Sequence, residues 1–237
     1  MRVSTRLVVF TSCLLVSATT TYAQSPVDPS GHWEGVVQVP DRPISIELDL
    51  VKKPSGELAG TFAQPEQGVR ALPLSTVTAQ DRSVRFVVKG SEQPSTFAGV
   101  VAADGQTMKG EVTLGEYVVP FELTRVGDAR VAAPPKSPRI ASTLEGTWNG
   151  AINGAMRVIV KMANQADGTS AGTIVSPDGS ATEIPIAIAQ MGKRVVLDVT
   201  AIGGRFEAEL NVATGQLVGT WRQAASSLPL TLTRATQ

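Results

Sequence analysis

The sequence predicts an all-β protein built as a tandem repeat of short antiparallel strands, and three observations carry that prediction. The pentapeptide Gly31-His32-Trp33-Glu34-Gly35 returns as Gly146-Thr147-Trp148-Asn149-Gly150, and about ninety residues after each copy run in parallel. Apolar and polar residues alternate at period two between turn signals, as a pleated strand with one buried and one wet face requires. The 237 residues include 22 Gly and 15 Pro and show few long helical periodicities, which fits short strands joined by tight turns. About eight strands per copy, spaced about eleven residues apart, point to a sandwich or an up-and-down barrel.

The offset between the copies changes only in steps. Gly31 meets Gly146 at an offset of 115. Leu72-Pro73-Leu74 meets Ile184-Pro185-Ile186 at 112, and Phe97 meets Phe206 at 109. The closing segment Val119-Pro120-Phe121-Glu122-Leu123-Thr124-Arg125 meets Leu228-Pro229-Leu230-Thr231-Leu232-Thr233-Arg234 at the same 109. Two losses of three residues in turns of the second copy account for this pattern.

In chain order, residues 1–23 have the form of a secretory signal. Arg2 and Arg6 supply a positive start, Leu7 to Val16 is an apolar run too short to span a bilayer, and Thr21-Tyr22-Ala23 offers small residues for cleavage. Cleavage removes Cys13, the one cysteine, so the periplasmic or secreted chain would hold together without disulfides. Residues 24–29 are expected to be a disordered lead-in, and residues 30–126 form the first repeat. Residues 127–144, with Ala132-Ala133-Pro134-Pro135-Lys136-Ser137-Pro138, are expected to form a semi-rigid linker. Residues 145–235 form the second repeat.

Within the repeats, Ile44, Ile46, Leu48 and Leu50 alternate with Ser45, Glu47 and Asp49. Their counterparts Met156, Val158, Val160 and Met162 are again apolar. Val84, Phe86 and Val88 make a second such strand, echoed by Val195, Leu197 and Val199.

Composition excludes several function classes. Without Arg2 and Arg6 the chain has 19 basic and 21 acidic residues, which gives no electrostatic grip on nucleic acid or an anionic membrane. One histidine and no mature cysteine exclude the familiar zinc ligand sets, and no Gly-rich phosphate loop opens a helix, so no metal and no cofactor is expected. Gly168-Thr169-Ser170-Ala171-Gly172 spells a nucleophile elbow. That motif needs a strand-to-helix turn and a histidine base. A strand pattern follows Ser170, and His32 lies in the other repeat, so the match is taken as chance and the chain as non-enzymatic. His32 is expected at the surface, and Glu47 and Asp49 on a solvated strand face.

Gly-x-Trp opening the first strand and Arg ending the last resembles the lipocalin and wider calycin pattern, carried by Gly31, Trp33 and Arg125 and again by Gly146, Trp148 and Arg234. The resemblance implies two tandem antiparallel up-and-down, calycin-like β-barrels, with the arginine laid across the tryptophan at the closed end. Gly146-Thr147-Trp148-Asn149-Gly150, Ile184-Pro185-Ile186, Gly203-Gly204-Arg205-Phe206-Glu207 and Gly219-Thr220-Trp221-Arg222-Gln223 are also similar to the small β domain ahead of some exported bacterial α/β-hydrolases. That resemblance implies an accessory module acting on a partner enzyme.

The inward residues Ile46, Leu48, Phe86, Val158, Val160 and Leu197 are the candidate lining for a small apolar ligand. Barrels this short are expected to be filled by those side chains, which moves binding to an outer or inter-domain surface and a protein partner.

Overall fold

The computed structural model describes residues 27–89, 94–178 and 180–235. The expected signal peptide lies outside the described residues. The first repeat contains β1 (Gly31–Val37), β2 (Ile44–Lys52), β3 (Leu58–Gln64), β4 (Val69–Pro73), β5 (Thr76–Gln80), β6 (Ser83–Val88), β7 (Ser95–Val101), β8 (Thr107–Leu114) and β9 (Tyr117–Gly127). The second contains β10 (Ser137–Pro138), β11 (Gly146–Ile152), β12 (Met156–Asn164), β13 (Thr169–Ser176), β14 (Ser180–Met191), β15 (Arg194–Val199), β16 (Gly204–Asn211), β17 (Gln216–Gln223) and β18 (Ser226–Arg234). The two repeats are barrel-like antiparallel units, called barrel 1 and barrel 2 below.

In both, the first strand pairs with the second and with the last, so each sheet curls back on itself. Barrel 2 is hydrogen-bonded all the way round, because the first half of β14 pairs with β13 and its second half with β15. In barrel 1 the corresponding strand is broken into β4, paired with β3, and β5, paired with β6. Register locates the cause. Thr61 pairs with Pro73 as Thr173 pairs with Pro185, and Thr76 pairs with Val87 as Ala187 pairs with Asp198. Leu74 therefore matches Ile186, Thr76 matches Ala187, and Ser75 is one extra residue between them. A single inserted residue bulges a strand and interrupts its ladder. The seam is tacked by Leu74 N donating to Gly60 O at 3.0 Å and Ser75 N to Val87 O at 3.1 Å.

The three-residue losses also find their places. The first falls between the opening strands, where residues 38–43 of barrel 1 become Asn153-Gly154-Ala155. Asn153 and Gly154 are both left-handed, at φ 50° and 71°, the backbone that a tight Asn-Gly hairpin demands. The second loss divides into Ser75 and two residues of the connection between β6 and β7, six residues long against four between β15 and β16. In the repeated pentapeptide the second glycine is a matter of space. A Cβ on Gly35 would lie 2.0 Å from Glu122 O and one on Gly150 2.3 Å from Thr231 O, so any side chain would push the first and last strands apart.

Both barrels are apolar inside and polar outside. Trp33, Leu48, Leu50 and Phe86 fill barrel 1, and Trp148, Val160, Ile186 and Leu197 fill barrel 2. Outer positions carry ion pairs such as Lys109 with Glu122 and Lys161 with Glu183. This polarity is the reverse of a lipid-facing barrel. Among the described residues no helix is long and apolar enough to cross a membrane.

The segments read as lead-in and linker are partly built into the barrels. Residues 27–29 are not free: Val27 N donates to Asp81 O at 3.3 Å, and Pro29 is buried. At the far end of 127–144, β10 pairs with β13, and Ser137, Ile140 and Leu144 are buried against barrel 2. The barrels also touch. The short 3-10 turn Thr200–Ile202 packs on β4, and Gly203 lies beside Gly68, close enough that a Cβ on it would sit 3.5 Å from Gly68 O.

Candidate functional site

The repeated ends of the barrels are their Trp/Arg ends. Arg125 Cζ lies 4.7 Å from the centroid of the Trp33 ring, a cation–π contact, and Arg125 Nη2 donates to Asp28 O at 2.6 Å. Trp33 Nε1 donates to Pro29 O at 3.0 Å. Barrel 2 repeats the latch: Trp148 pairs with Arg234 in register, Trp148 Nε1 donates to Leu144 O at 2.9 Å, and Arg234 Nη2 donates to Glu145 O at 2.6 Å. Residues 27–30 and the last residues before β11 thus do the same work. They supply carbonyls that close one end of each barrel.

The opposite ends differ. Barrel 1 holds a cavity of about 280 Å³. Its walls are Val37, Ile44, Ile46, Val69, Leu72, Val88 and Leu114, its floor is Phe62 and Phe97, and Gln64, Gln67 and Ser95 are its polar members. Among the described residues no titratable side chain lines it. The floor rests on an aromatic cluster: Phe97 stacks on Phe86 at 4.5 Å, meets Phe121 edge-on at 5.3 Å and tilts against Phe62 at 5.9 Å. Of the candidate lining residues in this barrel, Ile46 faces the cavity, while Leu48 and Phe86 are fully buried deeper in the core. All three are buried, and the cavity lies at the end of the barrel beyond Leu48 and Phe86. Tyr117, the register partner of Leu114, stands 76% exposed at the same end.

In barrel 2 the candidate residues Val158, Val160 and Leu197 are buried, and the corresponding mouth is occupied by Trp221. Trp221 pairs with Phe206 as Val112 pairs with Phe97, so the indole stands where barrel 1 has only a valine. Its six-membered ring lies on Gly204, where a Cβ would come within 2.5 Å of Cζ2. Barrel 1 has Ser95 at that position. Gln223, the counterpart of Leu114, completes the plug: its side-chain amide donates to Ile202 O at 3.0 Å and accepts from Trp221 Nε1 at 3.4 Å.

Other sequence-marked residues lie elsewhere. Ser170 sits inside β13, fully buried, with its hydroxyl donating to Pro138 O at 2.7 Å. His32 is not at the surface: it is 1% exposed, with Nδ1 2.9 Å from Asp49 Oδ1 and Nε2 3.1 Å from Glu34 Oε1. Asp49 also accepts Arg130 N at 2.6 Å, so the chain leaving β9 is tied to this outer face, where Asp49 is half-buried. Among the described residues no group of three or more His, Cys, Asp or Glu is arranged to hold a metal ion. A larger hollow of about 680 Å³ crosses the outside of β5 to β8, over Arg85, Gly99, Lys109, Gly110 and Glu111. It is a wide, charged surface depression, whereas the inner cavity has the apolar walls and few polar groups of a small-molecule site.

No protein-family model matches the sequence, and no curated protein matches it. Two solved structures align with most of the chain at low similarity. One is a protein from Bacteroides fragilis NCTC 9343 assigned provisionally to the outer membrane, at 12% identity and a TM-score of 0.29, covering 86% of this chain and 95% of that one. The other is a protein of unknown function from the DUF3598 family of Nostoc punctiforme PCC 73102, at 13% identity and a TM-score of 0.26, covering 87% of this chain and 96% of that one.

Proposed function

We propose that this protein is an exported, non-catalytic binding module whose first barrel holds one small apolar molecule and whose second barrel is a packed support. The observation that carries this is the mouth of barrel 1: about 280 Å³ over Phe62 and Phe97, at the place where Trp221 fills barrel 2. Burying apolar ligand surface against such walls is worth roughly 25 cal/mol per Å² before the costs of association. The packed barrel supports the other through the turn Thr200–Ile202, which lies on the cavity strand β4.

Titration of residues 24–237 with the neutral fluorescent probe N-phenylnaphthylamine, checked by native mass spectrometry, tests the proposal. One probe bound per chain is the expected result. No bound probe overturns it and moves attention to the alternative from the sequence resemblance, a module that acts on an exported α/β-hydrolase.

A further inference from the structure

Resting on the proposed occupancy of barrel 1, we infer that the cavity is built for a neutral amphiphile, held tail-inward with an uncharged amide or hydroxyl head at Gln64, Gln67 and Ser95. Three observations converge on this class. The first is electrostatic. Among the described residues none that lines the cavity is charged, so an ionised head drawn inside would give up hydration for neutral partners. Barrel 1 does have an inward-reaching arginine, Arg125, but it is committed at the other end to Trp33 and Asp28 O.

The second is the kind of polar group present. A side-chain carboxamide both donates and accepts, and a serine hydroxyl does the same, which suits an amide or alcohol with the same two functions. Among the described residues, none supplies a hydrogen-bond partner to the side chains of Gln64, Gln67 or Ser95, so these groups are available to a ligand. The corresponding polar group in the plugged barrel, Gln223, is by contrast spent on Trp221 and Ile202.

The third is size and direction. A space of about 280 Å³ lies at the small end of ligand pockets, which run from about 300 Å³ upward, and suits a short alkyl chain and its head. The aromatic floor at Phe62 and Phe97 is the apolar end of that space. Gln67 is exposed and Gln64 and Ser95 are half-buried, which puts the polar end toward the solvent.

Displacement of N-phenylnaphthylamine by octanol, octanamide and octanoate near neutral pH separates the outcomes, because octanoate is ionised there and the other two are not. Octanamide and octanol are expected to displace the probe at concentrations at least about tenfold lower than octanoate, a difference of about 1.4 kcal/mol. Gln64→Leu/Gln67→Leu, scored against its own probe affinity, is expected to weaken octanamide at least about tenfold, again about 1.4 kcal/mol. Equal displacement by octanoate in the natural protein, or an octanamide affinity unchanged in the double variant, overturns the head-group assignment and leaves the apolar cavity standing. A natural protein that binds no probe overturns the occupancy itself, and the inference with it.

Discussion

Barrel 1 keeps an open mouth above Phe97, and barrel 2 closes the same place with Trp221. The two share the Trp/Arg latch, the close-packed second glycine and the strand order, and beside the break between β4 and β5 there is one further difference, at the mouth. It comes from a handful of exchanges at one end. Val112 and Ser95 become Trp221 and Gly204, Leu114 becomes Gln223, the six-residue connection 38–43 becomes the tight Asn153-Gly154-Ala155 turn, and the extra Ser75 disappears. On the proposed reading, duplication followed by plugging of one copy leaves a binding barrel beside a rigid one.

The largest expected effect is on the plug. Trp221→Ala removes a buried indole and should destabilise the protein by about 3–5 kcal/mol, read by denaturant unfolding, while creating a second probe site per chain. A stoichiometry that stays at one would mean that barrel 2 collapses into the space. The latches come next. Arg125→Ala loses both the Trp33 contact and the hydrogen bond to Asp28 O and should cost about 1–2 kcal/mol. Arg234→Ala, losing the bond to Glu145 O, should cost no more than that, and a much larger loss would show the two ends to be built differently.

A smaller effect concerns the seam. Amides of Leu74 and Ser75, next to the broken ladder, should exchange with deuterium at least about tenfold faster than those of Ile186 and Ala187 in the unbroken strand. Equal protection would mean that Ser75 leaves the wall of barrel 1 as tight as that of barrel 2.

The smallest is the response to acid. In barrel 2 and the segment entering it, Lys136 holds the Asp167 carboxyl below its usual range, Arg157 does so for Asp178, Lys161 for Glu183, and Arg205 with Arg222 for Glu207. In barrel 1 the depressed carboxyl is Asp28, held down by hydrogen bonds from Ser30. A carboxyl whose folded pKa lies below its unfolded value stabilises the fold above about pH 4 and loses that contribution as pH falls through the folded value. Barrel 2 should therefore soften more than barrel 1 below about pH 4, modestly and less so in high salt, because these pairs are exposed. Hydrogen exchange resolved by barrel measures it.

Much of this plan was legible in the sequence because it follows from local rules. Period-two alternation placed Ile44 to Leu50 in β2 and Val84 to Val88 in β6, and the repeated Gly-x-Trp and Arg pointed to the paired ends. An offset of 109 sets Trp221 on Val112 and Gly204 on Ser95, an unmatched tryptophan whose place at a barrel mouth only the fold reveals. The split strand was hidden inside the second offset change, since spacing alone does not separate one residue inserted in a strand from two inserted in a turn. His32 was illegible for a different reason. Its partner Asp49 also ties down the chain after β9, a contact 81 residues apart in sequence that no local pattern announces.

The account rests on Trp221 being what distinguishes plug from cup, and transplanting it is the most direct test. Ser95→Gly/Val112→Trp rebuilds the barrel 2 mouth in barrel 1. Overfilling a core costs about 1–3 kcal/mol, so the variant should keep its β-sheet circular dichroism and unfold cooperatively. Probe binding, measured by titration with N-phenylnaphthylamine, should then fall from one site per chain to none. A folded variant that still binds one probe with unchanged affinity would contradict the claim, placing the site somewhere other than the mouth above Phe97.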